Sequence, residues 1–238
     1  MSESPGVRAV LFDAAGTLIE LREPVGETYS RVARRFGADV PAARLEEAFE
    51  RVLAAHAPRV FPNSSPAEAA ELERDWWREV VDDTFRAADG TALPVPPEDC
   101  FAALWDHFAG ASAWRLRADA ALTLRVLRAS GLATGVVSNF DQRLRNILED
   151  LEIIDLLDLV VTPADVGAAK PCRRIFDFAL ERLGLTGPHV AYVGDRSEHD
   201  DAGARSAGLR PIAVASLATL TDLPRVLGLA TGDTKAPR

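Results

Sequence analysis

The sequence predicts an α/β fold in which a parallel sheet lies between two layers of helices, with an all-helical insertion after the first strand. Three observations carry that reading. Five short apolar runs rich in β-branched residues read as strands buried on both faces. Amphipathic helices with recognisable ends alternate with the later runs, which is the rhythm of a three-layer parallel sheet. Residues 21–116 break the rhythm, because they show helical periodicity and no strand signal.

The first run, residues 7–13, ends in a carboxylate, Asp13. Ligands of open α/β sheets bind outside the carboxyl ends of the strands. The turn that follows, Ala14-Ala15-Gly16-Thr17-Leu18, contains a glycine that lets the backbone close tightly. Leu21 and Arg22 then fall at the hinge into the insertion. Pro/Gly-rich stretches at 57–66 and 88–97 divide the insertion into helices expected near 24–36, 42–56, 68–85 and 97–108. Trp76 and Trp77 are adjacent on one of these helices and cannot share a face, so one belongs to the insertion's core and the other borders the cleft.

Beyond the insertion, Asp119 is placed to cap a helix with Leu122, Val126 and Leu127 on one face and Gly131 as its stop. Asp141 precedes the next helix, striped by Leu144, Ile147, Leu148 and Leu151. Pro171 opens a third, with Ile175, Phe176, Ala179, Leu180 and Leu183 inside and Gly184 at its end. The remaining strands are expected at 133–138, 157–161, 189–193 and 210–214. The resulting organisation is a core of residues 1–20 and 117–238 around an inserted domain of residues 21–116, with a frayed polar tail from residue 230.

A chain of 238 residues with 47% hydrophobic content suits one globular core plus an insertion. The net charge of −9, without any run of Lys or Arg, argues against nucleic acid or a membrane surface as partner and leaves a small-molecule substrate. Oligomeric state leaves no mark in the sequence. Cys100 and Cys172 lack the spacing of a disulfide framework or thiolate metal site, which points to a reducing cytoplasm. The first residues lack a basic, apolar leader, and no apolar run approaches the ~18 residues of a bilayer span. The sequon Asn63-Ser64-Ser65 therefore reads as accidental. Of the 27 Lys and Arg residues only Lys170 and Lys235 are lysines. A lysine kept mid-chain under that bias marks a place where a compact ammonium matters, because Arg presents its donors differently.

The strand ends gather the chemistry. Val136-Val137-Ser138-Asn139 closes the second strand, Ala168-Ala169-Lys170-Pro171 follows the third, and Tyr192-Val193-Gly194-Asp195 closes the fourth, with Asp200 and Asp201 shortly after. In a parallel sheet these ends share one edge with Asp13. Carboxylates for a hard cation, a nucleophile, and donors for developing charge are the parts that phosphoryl transfer to a carboxylate needs. Asp201 is read as structural, since acids favour a helix N-terminus on their own account. His199 is read as a loop residue, and His56, His107 and His189 share no evident partner.

In these motifs the sequence resembles the haloacid dehalogenase-like (HAD) hydrolase superfamily, in its branch with an all-helical cap. The residues concerned are DAAGTL at 13–18, VSN at 137–139, KP at 170–171 followed by Ile175-Phe176, and VGDRSEHDDAGARSAG at 193–208. The insertion is also similar to that of "HAD-like hydrolase domain-containing" proteins in LREPVGETY at 21–29, FPN at 61–63 and the Trp76-Trp77 pair. The resemblance implies a Rossmann-like core with a cap domain and a Mg²⁺ cofactor. It implies Asp13 as nucleophile and metal ligand, the backbone carbonyl of Ala15 and the side chain of Asp195 as further ligands, and Asp200 as holder of a metal-bound water or orienter of Lys170. Ser138 would offer its hydroxyl and Asn139 its backbone N–H to the phosphoryl group. Lys170 would neutralise charge near Asp13, and Thr17 would brace the turn. The family's usual Lys-Pro-Asp-Pro is Lys-Pro-Cys-Arg here, and Cys172 is read as structural.

Phosphatases of this superfamily carry an acid two residues after the nucleophile, where this chain has Ala15. General acid–base help is worth ~10²–10⁴ in rate, so acyl or aryl phosphates are the expected substrates and alkyl phosphates poor ones. One reading is thus a Mg²⁺-dependent phosphatase or phosphotransferase of restricted scope, with Glu23 or Glu27 as candidate substitute acids. A second is a C–halogen or C–P hydrolase, although the absence of any lysine before Lys170 removes the Schiff-base route of phosphonoacetaldehyde hydrolases. A third is a catalytically weak protein of the same fold that binds a ligand or partner.

Overall fold

A computed structural model describes residues 6–89, 98–195 and 200–229. Most of the expected break at 88–97, residues 196–199 of the last motif with His199, the first five residues and the tail from 230 lie outside the described residues.

In chain order the strands are β1 (Ala9–Phe12), β2 (Ile19–Leu21), β3 (Trp114–Leu116), β4 (Ala133–Val137), β5 (Leu159–Val161), β6 (Val190–Gly194) and β7 (Arg210–Ala213). Five of them form one parallel sheet in the order β5-β4-β1-β6-β7. The helices are α1 (Val25–Arg35), α2 (Ala42–Ala55), α3 (Pro66–Asp89), α4 (Glu98–Phe108), α5 (Ala120–Ala129), α6 (Leu144–Asp150), α7 (Pro163–Val166), α8 (Arg173–Leu183), α9 (Ala202–Ser206) and α10 (Leu223–Val226).

Side chains on a strand alternate faces, and the two faces of this sheet are both apolar. Val10, Phe12, Val136, Ala191 and Val193 belong to one layer with Leu124 and Leu127 of α5, Leu144 and Ile147 of α6, and Leu223 of α10. Ala9, Leu11, Val137, Val190 and Tyr192 belong to the other, with Ile175 and Phe176 of α8 and Ala204 of α9. All four residues of β1 are fully buried, as a central strand between two helical layers requires. No described helix is long and apolar enough to cross a membrane.

Between β2 and β3 the four helices α1–α4 pack on a separate apolar cluster. Val25, Tyr29, Val32 and Ala33 of α1 meet Leu45 of α2, Val81 and Phe85 of α3 and Leu104 of α4, at the spacing of one helix face. Tyr29 stacks on Phe85 with ring centroids 5.8 Å apart.

Four expectations need correction. β2 and β3 pair antiparallel where no strand was expected, closed by Glu20 and Arg115 at 2.8 Å, because three residues are too few to show a period. Helix α3 runs Pro66–Asp89, longer at both ends than the pattern indicated. On α5, Leu127 is buried as expected, but Leu122 and Val126 are exposed and the rest of the inward face is Ala120, Thr123 and Leu124; apolar residues occur on both sides of this helix, so periodicity alone misplaced two of the three. Asp119 makes no side-chain cap there, and its carboxylate accepts from the Thr221 N–H instead.

Candidate active site

The sheet's carboxyl edge brings Asp13, Ser138 and Asp195 to the ends of β1, β4 and β6. The backbone ladder carries on one residue past β1 and β4: the Asp13 N–H donates to the Val193 carbonyl at 2.8 Å, and the Ser138 N–H to the Val161 carbonyl at 3.1 Å. Asp13 and Ser138 are buried.

Lys170 enters from the loop before α8 and is buried. Its Nζ lies 2.9 Å from Asp13 Oδ1, 2.7 Å from Asp200 Oδ1 and 2.8 Å from the Tyr192 hydroxyl. An ammonium is a compact tripod of donors: two of its hydrogen bonds go to Asp200 and Tyr192, and Asp13 is its ion-pair partner. A planar guanidinium has no such compact tripod, which accounts for lysine in a chain that otherwise uses arginine. The Tyr192 hydroxyl is 2.9 Å from the Val137 carbonyl, to which it donates, and 3.1 Å from Asp200 Oδ1. Burial, followed by the charges of Asp13 and Asp200, raises the Tyr192 phenol well above its ordinary value and keeps it protonated.

Asp13, Asp195 and Asp200 present carboxylate oxygens within 4.8 Å of one another. Formally three carboxylates face one ammonium, an excess of negative charge on hard oxygen donors that suits Mg²⁺. Two glycines make the crowding possible. A β-carbon on Gly16 would lie 2.2 Å from Asp195 Oδ2, and one on Gly194 would lie 2.2 Å from Asp200 Oδ2. In the turn, the Gly16 N–H and the Ala14 carbonyl make the bridge to Ile19, so the Ala15 carbonyl takes no part in it. These residues fit the cation that the sequence motifs imply. Arg117 Nη1 donates to the Gly16 carbonyl at 3.1 Å and holds the turn from outside. Thr17 is fully buried, and its hydroxyl has no hydrogen-bond partner among the described residues.

Asn139 has a task the sequence did not reveal. Its side-chain Oδ1 accepts from the Lys170 N–H at 2.7 Å and its Nδ2 donates to the Lys170 carbonyl at 2.9 Å, a two-point clamp on the lysine's backbone. Its own carbonyl accepts from Arg59 Nη2 at 2.8 Å.

Arg59 begins a dense contact between the helical insert and the loop after β4. Its side chain is 8% exposed and lies over Trp76 and Trp77, 5.1 and 5.2 Å from their centroids. The two tryptophans meet edge to face and both serve this contact; Trp77 also packs against the insert's apolar core, as expected of one of the pair. Trp77 Nε1 donates to Asp141 Oδ2 at 2.7 Å, and Arg143 Nη2 pairs with the same oxygen at 2.7 Å. Asp141 is therefore the hub of this contact as well as a residue near the start of α6. Burial pushes its carboxyl up, but Arg143, Arg59 and Trp77 together outweigh that and hold it at about 2. Glu73, buried on α3, accepts from the Gln142 N–H at 3.1 Å. Burial pushes its carboxyl up to about 7, the Gln142 bond opposing and the Asp141 charge adding.

Glu23 is poorly placed as a substitute acid. Thr28 first, and then Arg31, bond its carboxylate and hold it below the usual range. Glu27 is exposed on α1. Tyr192 went unnoticed as a site residue although a tyrosine inside an apolar strand was a visible signal. Arg59 offered none, since its partner is a backbone carbonyl 80 residues away.

The family model described as haloacid dehalogenase-like hydrolase matches residues 7–208. "Haloacid dehalogenase-like hydrolase domain-containing protein 3" of Mus musculus is 37% identical over 213 residues, 88% of this chain and 82% of the relative. The protein of that name from Danio rerio is 36% identical over 204 residues, 86% of this chain and 83% of the relative. Among solved structures, a HAD phosphatase from Thermococcus onnurineus matches with TM-score 0.63 at 25% identity, covering 93% of this chain and 98% of that one. A dehalogenase with an intermediate complex matches in fold with TM-score 0.67 at 22% identity, covering 95% and 98%.

Proposed function

Because the chain belongs to the haloacid dehalogenase-like hydrolase family, we propose that it is a Mg²⁺-dependent phosphatase or phosphotransferase that works through an aspartyl-phosphate on small molecules with good leaving groups. The observation that supports this reading is the position of Asp13, which pairs with Lys170 and lies within 4.8 Å of the oxygens of Asp195 and Asp200.

Asp13 Oδ1 receives the Ala14 N–H and Lys170, which makes Oδ2 the attacking atom. Oδ2 bonds to phosphorus as the bond to the leaving oxygen breaks, and the leaving group departs with the electron pair. Lys170 restrains the carboxylate and offsets charge as it develops. The Ser138 hydroxyl and the Asn139 backbone N–H donate to the phosphoryl oxygens, while Thr17, whose hydroxyl has no partner among the described residues, braces the turn only through its backbone N–H to the Ala14 carbonyl at 3.2 Å. Water then attacks phosphorus as the bond to Asp13 Oδ2 breaks, its proton leaving with the inorganic phosphate and Asp13 returning to a carboxylate; an acceptor hydroxyl in place of water gives transfer instead. Mg²⁺, held by Asp13, Asp195, Asp200 and the Ala15 carbonyl, would supply charge neutralisation to the phosphoryl oxygens when bound. Helices α1–α4 serve as the cap that selects the substrate.

Ala15 supplies neither a proton to the leaving oxygen nor activation of water. Acyl and aryl phosphates, whose leaving groups need little protonation, are the substrates expected to react. The test is hydrolysis of acetyl phosphate, p-nitrophenyl phosphate and an alkyl phosphate with and without Mg²⁺, in the natural protein and in Asp13→Asn. Mg²⁺-dependent turnover of the first two that vanishes in the variant is expected. Equal rates in both proteins would leave a binding role for the fold. Ala15 also suits a carbon–halogen hydrolase, and halide release from 2-chloropropanoate without Mg²⁺ would favour that second reading.

A further inference from the structure

We propose that Asn139 couples the seating of the helical insert to the seating of Lys170, and that Arg59 is a positioning residue acting on the lysine through it. The catalytic part of this claim rests on the reading above; the structural part does not.

Lys170 is held at two ends. Its ammonium is fixed by groups of the core alone, Asp13, Asp200 and Tyr192. Its backbone is fixed by the Asn139 carboxamide at 2.7 and 2.9 Å. Asn139 in turn begins the strip of loop that the insert grips: Arg59 on the Asn139 carbonyl, Trp77 on Asp141, and Glu73 and the Pro66 carbonyl on Gln142. The residue that clamps the lysine is thus the residue that the insert's arginine holds.

Packing alone does not account for Arg59. Its Nε is buried with no hydrogen-bond partner among the described residues, and a buried donor left unmet costs stability. Its Nη2 nevertheless reaches the Asn139 carbonyl at 2.8 Å, while Asp141 lies 4.0 Å away. Without that bond the Asn139 carbonyl loses the insert's hold, and the carboxamide is aimed less firmly at the Lys170 backbone. Both bonds there then weaken, and the ammonium's registry with Asp13 rests on its core partners alone.

The sequence provides a selective probe, because the chain has two lysines, Lys170 and Lys235. Protein labelled with ¹⁵N-lysine gives one amide signal for each, and Lys170→Arg identifies which is which. In Arg59→Gln the Lys170 amide is expected to shift and to exchange with deuterium roughly tenfold faster, the scale of one lost hydrogen bond to a charged donor. With acetyl phosphate and Mg²⁺, kcat is expected to fall about tenfold while KM stays near its natural value. Arg59→Lys, which keeps a donor and adds a third lysine signal identified by its absence from the natural spectrum, is expected to recover part of both. Arg59→Met keeps the stem against the tryptophans and replaces Arg59→Gln if the latter does not fold. The control is Arg74→Gln, on another insert arginine that lies over Phe101 and pairs with Glu98. An unmoved Lys170 amide in a folded Arg59 variant overturns the coupling, as does an equal response in the control. A natural protein inert toward every phosphate, with the amide responding as expected, supports the coupling and removes the phosphatase reading.

Discussion

Asp195 rests its carboxylate on the bare α-carbon of Gly16, where a β-carbon would lie 2.2 Å from Oδ2 and 2.8 Å from Cγ. The same glycine has φ +79°, a conformation that L side chains rarely adopt. One residue therefore meets two demands, the sharp turn after Asp13 and the approach of an acid from a different strand. Gly194 repeats the second demand toward Asp200. The acidic trio is crowded because glycines stand where side chains would hold it apart.

Gly16→Ala should therefore damage the site more than the fold. The left-handed backbone costs an alanine about 1–2 kcal/mol, a modest fraction of a domain's stability. Displacing Asp195 should weaken Mg²⁺ binding at least tenfold, or roughly 1.4 kcal/mol. Calorimetric titration with MgCl₂ beside a thermal melt separates the two effects. Natural affinity in the variant would show that Asp195 does not depend on this close approach.

In the proposed reaction Ala15 bears on both chemical steps, but unequally. An aryl leaving group manages without a proton donor, whereas the attack of water on the aspartyl-phosphate still lacks its base. Rapid-mixing experiments with p-nitrophenyl phosphate should show a burst of nitrophenolate of about one equivalent per site, followed by slow turnover. Ala15→Asp should remove the burst by speeding the second step, by roughly 10²-fold, and should extend activity to alkyl phosphates. A linear time course in the natural protein would mean that water is activated by some other group.

Much of this was legible in the sequence because strand ends are legible. Asp13, Ser138 and Asp195 each follow a short apolar run, and a parallel sheet leaves their placement on one edge little latitude. Lys170 stood out by scarcity. What stayed hidden were relations across the chain that no local pattern encodes. The Asn139 clamp joins a side chain to a backbone 31 residues away, and Arg59 meets a carbonyl 80 residues away. Asp141 was visible as a helix-start acid, but its partner Trp77 lies 64 residues earlier. The ribbon of β2 and β3 failed on length, and the inward face of α5 failed because apolar residues line two sides of one helix.

Tyr192 separates the support of Lys170 from its charge. Its hydroxyl accepts from Nζ at 2.8 Å and reaches the Val137 carbonyl at 2.9 Å, within a buried cluster. Tyr192→Phe keeps the ring against Phe176, 5.1 Å away between centroids, and deletes only those bonds. The expected loss is about 1–3 kcal/mol of stability, because the carbonyl and one ammonium donor are left unmet. Denaturant unfolding measures it. A variant as stable as the natural protein would mean that the hydroxyl contributes nothing net to the cluster.

The contact between insert and core should respond to pH through Glu73. Its carboxyl is raised to about 7 in the folded protein from an ordinary 4.5, so between those values the folded state binds more protons than the unfolded one. Stability is then greatest below about pH 4.5 as far as this group is concerned, declines as pH rises through 7, and stays level above it. The neighbouring Asp141 is held at about 2 by Arg143, Arg59 and Trp77 against its burial, and does not titrate in this window. Between pH 5 and about 8 a shift of this size amounts to roughly 2–3 kcal/mol. Glu73→Gln keeps an acceptor for the Gln142 N–H and removes the proton equilibrium. Urea unfolding between pH 5 and about 8 should therefore slope downward in the natural protein. In the variant the slope should be flatter by that amount, and equal slopes would mean that Glu73 is not the group titrating at this contact.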